Sequence, residues 1–209
     1  MLINLTREFI SEHSETKISL ERIPLASEQT KYTGEIWHFD CDSMVGTYLD
    51  LPGHILETDD GRRGSNLDLA DFYRVPTTIL HLNRYSDSGA ITADDLRKAN
   101  GGKDRLNRFL IVHALADRLS PHDVEWRSVY LDATAVQWII DGGCKVLISD
   151  VYESQKLEGV FLKLFQAGIS TVCEPVNLFM LKDCPDPLIT ITFQPMPVAQ
   201  LPITLIAEI

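Results

Sequence analysis

The fold is decided by residues 132–173, which read DATAVQWIIDGGCKVLISDVYESQKLEGVFLKLFQAGISTVC. Asp132 is a suitable N-cap for a helix that runs through Ile139, and Gly142-Gly143 is suited to end that helix. The following run, residues 145–149, is nearly continuous in apolar side chains, as expected for a strand that is buried on both faces.

The pattern then repeats. Residues 157–166 predict a second helix that stops at Gly168, and residues 169–173 predict another strand. The apolar run at 108–113 predicts a strand before the first helix. An order of strand, helix, strand, helix, strand favours neighbouring parallel strands with right-handed crossovers.

Working outward, Thr92 and Asp95 resemble a capping box that opens a helix closed by Gly101-Gly102. Further strands are predicted at 2–5, 35–41, 75–82, 188–193 and 203–209, and one or two helical turns at 67–73. Residues 11–34 are polar, are interrupted by Pro24, and predict an irregular excursion that is mobile or embraces a partner subunit. The chain is therefore expected to be one α/β domain over residues 1–209, a mixed, barrel-like sheet with packed helices.

Composition excludes several classes of protein. Asp and Glu outnumber Lys and Arg by 30 to 19, and the net charge of −11 argues against nucleic-acid binding. No apolar stretch approaches the roughly 20 residues that span a bilayer. Four cysteines without a CxxC pair, and no basic-then-apolar N-terminal region, predict reduced, mostly buried thiols in a cytoplasmic protein.

Residues 44–54 carry the most specific motif, M-V-G-T-Y-L-D-L-P-G-H. It resembles the fingerprint H-x-G-T-H-x-D-x-P-x-H of the cyclase and kynurenine formamidase (arylformamidase-like) family of metal-dependent hydrolases. Gly46, Thr47, Asp50, Pro52 and His54 match this fingerprint. Its first two histidines are Met44 and Tyr48 in this chain.

Other segments extend the resemblance over nearly the whole chain. Residues 161–169, FLKLFQAGI, are similar to the family's H-H-x-L-L-x-A-G-I with both histidines replaced by Phe161 and Leu162. Glu174 follows where the family places a glutamate ligand.

The resemblance implies a swivelling β/β/α fold in a homodimer or homotetramer. It also implies a divalent metal, zinc or manganese, and hydrolysis of a small amide or lactam with the last fingerprint histidine as acid/base. By that resemblance the acid/base is His54, and the remaining metal ligands are Asp50 and Glu174. We expect Asp50 and Tyr48 to act with His54 as catalytic residues, Asp50 as ligand or orienter and Tyr48 as a substrate contact.

The ligand inventory for such a metal is poor. A thioether at Met44 is a weak ligand for zinc or manganese, and Tyr48 would have to ionise from a pKa near 10. In extended backbone, residues 44, 46, 48 and 50 would project to one face, with Gly46 leaving room for the ion. On that view two carboxylates, Asp50 and Glu174, would face the ion without imidazole. Two interpretations stay open, a zinc or manganese cofactor by resemblance and no cofactor at all.

Each candidate residue also has a purely structural interpretation. His54 is either the acid/base, oriented by Asp50 or Glu174, or a turn residue kept for packing. Asp50 could instead hydrogen-bond the Leu51-Pro52-Gly53 turn, and Tyr48 could be a packed aromatic rather than a substrate contact. Glu174 is either a buried site carboxylate or a solvated strand end.

A metal site rebuilt from His38, His81 and His113 on predicted strands is less favoured than hydrogen-bonded core histidines. Cys173 beside Glu174 is expected to be inert. Two main functions therefore stay open: a hydrolase acting on a small-molecule amide or lactam, and a non-catalytic relative that keeps the pocket for ligand binding or assembly. A third, a metal-free isomerase or lyase that uses His54 and a carboxylate, has no positive signal of its own.

Overall fold

The computed structural model describes residues 1–9, 17–85, 88–115 and 128–209. The described strands are β1 (Leu2–Asn4), β2 (Lys17–Ala26), β3 (Lys31–Asp40), β4 (Tyr48–Asp50), β5 (Val75–His81), β6 (Gly89–Ile91), β7 (Phe109–His113), β8 (Val129–Leu131), β9 (Val146–Ser149), β10 (Ser170–Cys173), β11 (Leu188–Thr192), β12 (Gln200–Pro202) and β13 (Thr204–Glu208). The described α-helices are α1 (Ala93–Ala99), α2 (Ala133–Asp141) and α3 (Val160–Gln166), and short 3-10 turns lie at Pro52–His54, Leu56–Thr58, Gly64–Asn66, Leu69–Phe72 and Leu178–Leu181.

Nine strands form one mixed sheet in the order β1-β13-β11-β5-β7-β9-β10-β4-β12. Its centre, β5-β7-β9-β10, is parallel, and the remaining pairs are antiparallel. The sheet curls strongly into a half barrel with few helices packed on it. The predicted mixed, barrel-like α/β fold and its βαβ series are confirmed.

The central strands are continuous apolar runs because both faces of the sheet are covered. In β7, Leu110 and Val112 belong to the core that also contains α2 and α3 residues. Phe109 and Ile111 belong to the second core, on the opposite face, with residues of the antiparallel strands. Side chains alternate along a strand, so one five-residue run contributes to both cores.

The helix starts follow their caps. The Thr92 hydroxyl accepts a hydrogen bond from the backbone N–H of Asp95, and Asp132 accepts one from that of Ala135, as the sequence predicts. Helix α3 begins at Val160 rather than at 157. The Glu153 carboxylate accepts the N–H groups of Gly159 and Val160, at 2.7 and 3.0 Å, and so fixes the helix start there.

Residues 17–40 correct the prediction of an irregular excursion over 11–34. Strands β2 and β3 pair antiparallel over ten positions, from Lys17 opposite Asp40 to Ala26 opposite Lys31. Pro24 lies within β2 and is tolerated there because β3 is the only strand beside β2 among the described residues, so one edge of β2 needs no donor. Residues 10–16, the rest of the predicted excursion, lie outside the described residues.

Three short strands, β6, β8 and β12, were not predicted, since three residues are too few for a periodic pattern. The four cysteines are free, as expected, but only Cys144 and Cys173 are buried, whereas Cys41 is exposed and Cys184 intermediate. Among the described helices none is long and apolar enough to cross a bilayer.

Candidate functional site

Two fingerprint positions, Tyr48 and Asp50, lie on strand β4, which lies between β10 and β12. Asp50 is the register partner of Thr171 on one side and of Gln200 on the other, and Tyr48 is paired with Cys173. Because residues 48 and 50 are two apart, their side chains share one face of the sheet.

Asp50 is buried, with 3% of its surface exposed. The side-chain amide of Gln200 donates to its Oδ1 at 2.7 Å, and the Cys173 thiol donates to its Oδ2 at 3.7 Å. The predicted turn-capping interpretation of Asp50 is thereby replaced: both carboxylate oxygens interact with side chains of neighbouring strands. Gln200 was not predicted, because nothing in the sequence links two positions 150 residues apart.

Glu174 is buried as well, at 2% exposure, directly after β10. Its Oε2 lies 3.0 Å from Nε of Arg7, although the Nε–H is not aligned for a hydrogen bond, so the contact is an ion pair. Thr47 ties the same region together, because its hydroxyl donates to the Glu174 carbonyl and accepts the N–H of Arg7. The interpretation of Glu174 as a solvated strand end is wrong.

Tyr48 is a buried neutral phenol. Burial raises its pKa far above the ordinary value, and the nearby Cys173, Asp50 and Glu174 raise it further. Burial and then Asp50 likewise hold the pKa of the Cys173 thiol well above its usual range. Tyr48 therefore does not ionise to bind a metal near neutral pH, and Cys173 is not an activated nucleophile.

His54 lies at the surface of the protein. It ends the 3-10 turn Pro52–His54 and is exposed, whereas Tyr48, Asp50 and Glu174 are buried. Its ring packs edge-on against Phe165 of α3, with centroids 6.5 Å apart. The contact with Phe165 agrees with a packing role, and the exposure leaves the imidazole accessible to a ligand from solvent.

The beginning of the fingerprint does not form the predicted extended row. Strand β4 starts only at Tyr48, and Met44 is 41% exposed. Gly46 has φ of +61°, and a Cβ there would come within 2.9 Å of the Arg7 carbonyl oxygen. Gly46 is thus required for a left-handed turn and a close backbone approach, rather than to leave room for an ion.

Aromatic packing occupies the positions where the resemblance expects the later histidines. The ring of Phe161 stacks on that of Tyr152 at 4.8 Å and 26°. The Tyr152 hydroxyl is buried and lies 2.7 Å from the Val172 carbonyl oxygen. Leu162 is 36% exposed on α3.

These donors do not fit a zinc or manganese ion of the family type. Asp50 is held by an amide and a thiol, Glu174 by a guanidinium, and Tyr48 stays protonated. Within the described part of the chain, no group of three or more His, Cys, Asp and Glu side chains could hold a metal. A structural or catalytic zinc takes at least three such protein ligands.

A second polar group lies at the carboxyl ends of β5 and β7. Nδ1 of His81 and Nδ1 of His113 are 2.9 Å apart, and Nε2 of His113 is 3.9 Å from Oδ2 of Asp150. Burial, and then His81, lower the pKa of His113 to about 4, so the imidazole is neutral near pH 7. The pair fits the preferred prediction of hydrogen-bonded core histidines; His38 is instead exposed and bound to Glu21.

The chain is similar to known proteins in both sequence and fold. The family model described as "Putative cyclase" matches residues 3–155. A search of curated protein sequences finds no match.

Solved structures align over nearly the full length. Isatin hydrolase A from Labrenzia aggregata, bound to benzyl benzoate, aligns with a TM-score of 0.73 at 14% identity, covering 99% of this chain and 93% of that one. Isatin hydrolase A from Ralstonia solanacearum aligns with a TM-score of 0.69 at 14% sequence identity, covering 99% of this chain and 91% of that one. A predicted metal-dependent hydrolase from Bacillus stearothermophilus aligns with a TM-score of 0.64 at 16% sequence identity, covering 99% of this chain and 97% of that one. At these identities the alignments show the fold alone.

Proposed function

Since the chain belongs to the cyclase family, whose fold here is that of metal-dependent hydrolases, we propose that it is a non-catalytic member that keeps the fold as an assembly module. One observation carries the proposal. Asp50 and Glu174, the carboxylates that the resemblance assigns to the metal, are both buried and both engaged by other side chains.

The energetics favour this arrangement over an ion. A carboxylate that already has a buried amide or guanidinium partner must lose that partner to bind a metal, at a cost of about 1–3 kcal/mol for each buried group left unpaired. Imidazole ligands would offset this cost, but Tyr48 and Phe161 occupy such positions with aromatic rings. Without the ion, no group at the site would lower the pKa of an attacking water.

A second candidate is a hydrolase of small amides or lactams, and the accessible imidazole of His54 supports it. An imidazole that faces solvent is within reach of a small-molecule substrate and could act on it as an acid or base. In this function Asp50 and Tyr48 would position the substrate rather than bind metal. Isatin, a lactam, is the substrate class that the names of two structural neighbours suggest.

Elemental analysis, combined with an activity assay, distinguishes the non-catalytic member from the hydrolase. Purified protein, dialysed against zinc and against manganese and then desalted, is expected to retain far less than one ion per chain. Wild type and His54→Ala are expected to hydrolyse isatin and N-formylkynurenine no faster than buffer does. Stoichiometric metal, or turnover that His54→Ala abolishes, would overturn the proposal in favour of the hydrolase.

A further inference from the structure

A polar cavity lies at the start of strand β5, which β7, β9 and β10 separate from β4 in the sheet. Its volume is about 480 Å³, and residues 77–79 of β5 form its floor. Residues 103–107, which lead into β7, and residues 184–187, which lead into β11, form walls on either side of β5. Because no fingerprint residue lines this cavity, it is a separate feature of the fold.

The wall before β7 carries two cations that have no carboxylate partner. Lys103 and Arg105 both line the cavity, and neither forms an ion pair with any residue that the structure describes. By contrast, seven other arginines each lie within 3.1 Å of an Asp or Glu oxygen. In a chain with 30 acidic and 19 basic residues, two neighbouring unpaired cations are available to an anion from solution.

Hydrogen bonds hold these two cations on the same side of their loop. The side-chain amide of Asn100 donates to the Lys103 carbonyl at 2.7 Å and lies 3.5 Å from the Arg105 carbonyl. Asp104, between them, accepts hydrogen bonds at 2.8 Å from Arg97 of α1 and from the indole of α2. The intervening acid is thus turned toward the helices and neutralised there. A loop held in this way loses little further freedom when a ligand binds.

Neutral donors complete the same wall. The Thr78 hydroxyl accepts the backbone N–H of Asn107 at 2.9 Å, which leaves its own proton to donate. The side-chain amide of Asn107 lines the cavity and has no hydrogen-bond partner in the described part of the chain. A guanidinium beside an amide and a hydroxyl suits carboxylate or phosphate oxygens, which accept several hydrogen bonds at once.

We infer that this cavity binds a small molecule through one oxyanion group, a carboxylate or a phosphate, held by Arg105, Lys103 and Asn107. Asp186 lines the opposite wall, so two cations and one carboxylate give the lining a charge of +1 in a chain of −11. A second anionic group on the ligand would meet the Asp186 carboxylate, which disfavours polyanions. This inference goes beyond the proposed function, because it holds whether or not the chain turns over a substrate.

Chemical-shift titration of the ¹⁵N-labelled full chain with acetate and, separately, with inorganic phosphate tests the inference. Sodium chloride at the same ionic strength is the reference, since screening alone shifts the signals of surface amides. We expect saturable shifts at residues 103–107 and 184–187 with a Kd of about 1 mM, the range open to a ligand of so few atoms. The anion that binds more tightly identifies the ligand as a carboxylate or a phosphate.

Three variants assign the binding to the cavity. The double variant Lys103→Gln and Arg105→Gln is expected to weaken binding about tenfold or more. The charge-matched control is Arg22→Gln with Lys163→Gln, which removes two cations outside the cavity and should leave the Kd within about twofold.

Asp186→Asn is expected to act in the opposite direction. It removes the one carboxylate of the lining and should tighten phosphate binding more than acetate binding, because phosphate carries the larger charge near neutral pH. Asn tolerates the left-handed backbone at this position, φ of +51°, so the wall keeps its shape.

Four outcomes would overturn the inference. They are shifts no larger than those in sodium chloride, shifts that do not saturate, a Kd that the double variant leaves unchanged, and saturable shifts at His54 and β4 in place of the cavity. The last outcome would instead favour the hydrolase. The metal and turnover measurements do not depend on the cavity, so failure of one proposal leaves the other standing.

Discussion

The side-chain amide of Gln200 donates to Asp50 at 2.7 Å, across 150 residues of sequence and between strands β12 and β4. A buried carboxylate needs such donors, because removal from water disfavours its charged form. The bond therefore anchors the edge strand β12 to the strand that carries the fingerprint.

The variant Gln200→Leu measures how much of the stability of the protein depends on that bond. It removes the buried amide that donates to Asp50 Oδ1, and we expect the free energy of unfolding to fall by about 1–3 kcal/mol. Urea unfolding measures this change. Gln137→Leu is the control, because Gln137 donates to Asp141 in an equivalent but exposed pair, and its loss should cost no more than about 0.5 kcal/mol.

Equal effects of the two glutamine variants would contradict this prediction, since burial of the carboxylate would then add nothing to the bond.

The ion pair between Arg7 and Glu174 gives a second prediction. Arg7→Met removes the guanidinium that lies beside the carboxylate of Glu174, which is 2% exposed. Arg7 itself is about a quarter exposed, so water can replace part of the lost interaction, and we expect a loss of about 1–3 kcal/mol in the free energy of unfolding.

Arg74→Met provides the matched comparison for that pair. Arg74 meets Glu208 at 3.1 Å, but both side chains are at least 40% exposed, and removing such a pair typically costs less than about 1 kcal/mol. Adding Glu174→Gln to Arg7→Met should recover part of the loss, because the buried carboxylate charge that faced Arg7 is then gone. If the double variant is no more stable than Arg7→Met, the buried charge is not the cause.

The local sequence was sufficient to predict the strands and helices of the parallel part of the sheet. Asp132 and Thr92 cap helices where predicted, and the apolar run at 109–113 is a strand buried on both sides. Helix caps and apolar runs depend on residues that are close in sequence, so they can be identified without knowledge of the tertiary contacts. The start of α3 was misplaced because the deciding carboxylate, Glu153, lies several residues outside the helix.

The site was less predictable because its contacts are long-range. The identity of the carboxylates Asp50 and Glu174 was available from the fingerprint, but their partners Gln200 and Arg7 were not. Pairing in a curled sheet joins distant segments, and one sequence contains no record of which strands become neighbours. The first strand of the β2–β3 hairpin was missed for a different reason, although most of β3 was predicted at 35–41: Pro24 argues against a strand unless the strand has a free edge.

Gly46 supports a third prediction, which concerns the turn before β4. In Gly46→Ala the new Cβ would meet the Arg7 carbonyl oxygen at 2.9 Å in a backbone with φ of +61°. We expect a loss of about 2–3 kcal/mol, from the strained dihedral and from displacement of the Arg7 segment. Gly61→Ala has φ of +81° with no atom within 4 Å, so it isolates the dihedral cost at about 1 kcal/mol. Equal losses in urea unfolding would show that the Arg7 backbone yields freely.

The buried imidazole pair makes stability depend on pH. His113 has a pKa of about 4 in the folded protein, lowered by burial and by His81, against about 6.5 in an unfolded chain. Between pH 6.5 and pH 4 the unfolded state therefore binds more protons, and the free energy of unfolding falls as the pH is lowered. Stability from the neutral imidazole is fully present above pH 6.5 and is lost progressively toward pH 4.

His113→Leu removes this titration and tests its size. From pH 7 to pH 4, wild type should lose on the order of 3 kcal/mol more than His113→Leu loses, because one pKa unit corresponds to about 1.4 kcal/mol. His113→Leu is expected to be less stable than wild type at pH 7, because the substitution also changes the packing. The comparison therefore concerns only how steeply the free energy of unfolding of each protein changes with pH. Parallel curves in urea unfolding at several pH values would mean that His113 takes up its proton as easily in the folded chain as in the unfolded one. The close approach of His81 and the burial of the ring at 1% exposure argue against that result, since a second charge beside a desolvated imidazole is costly.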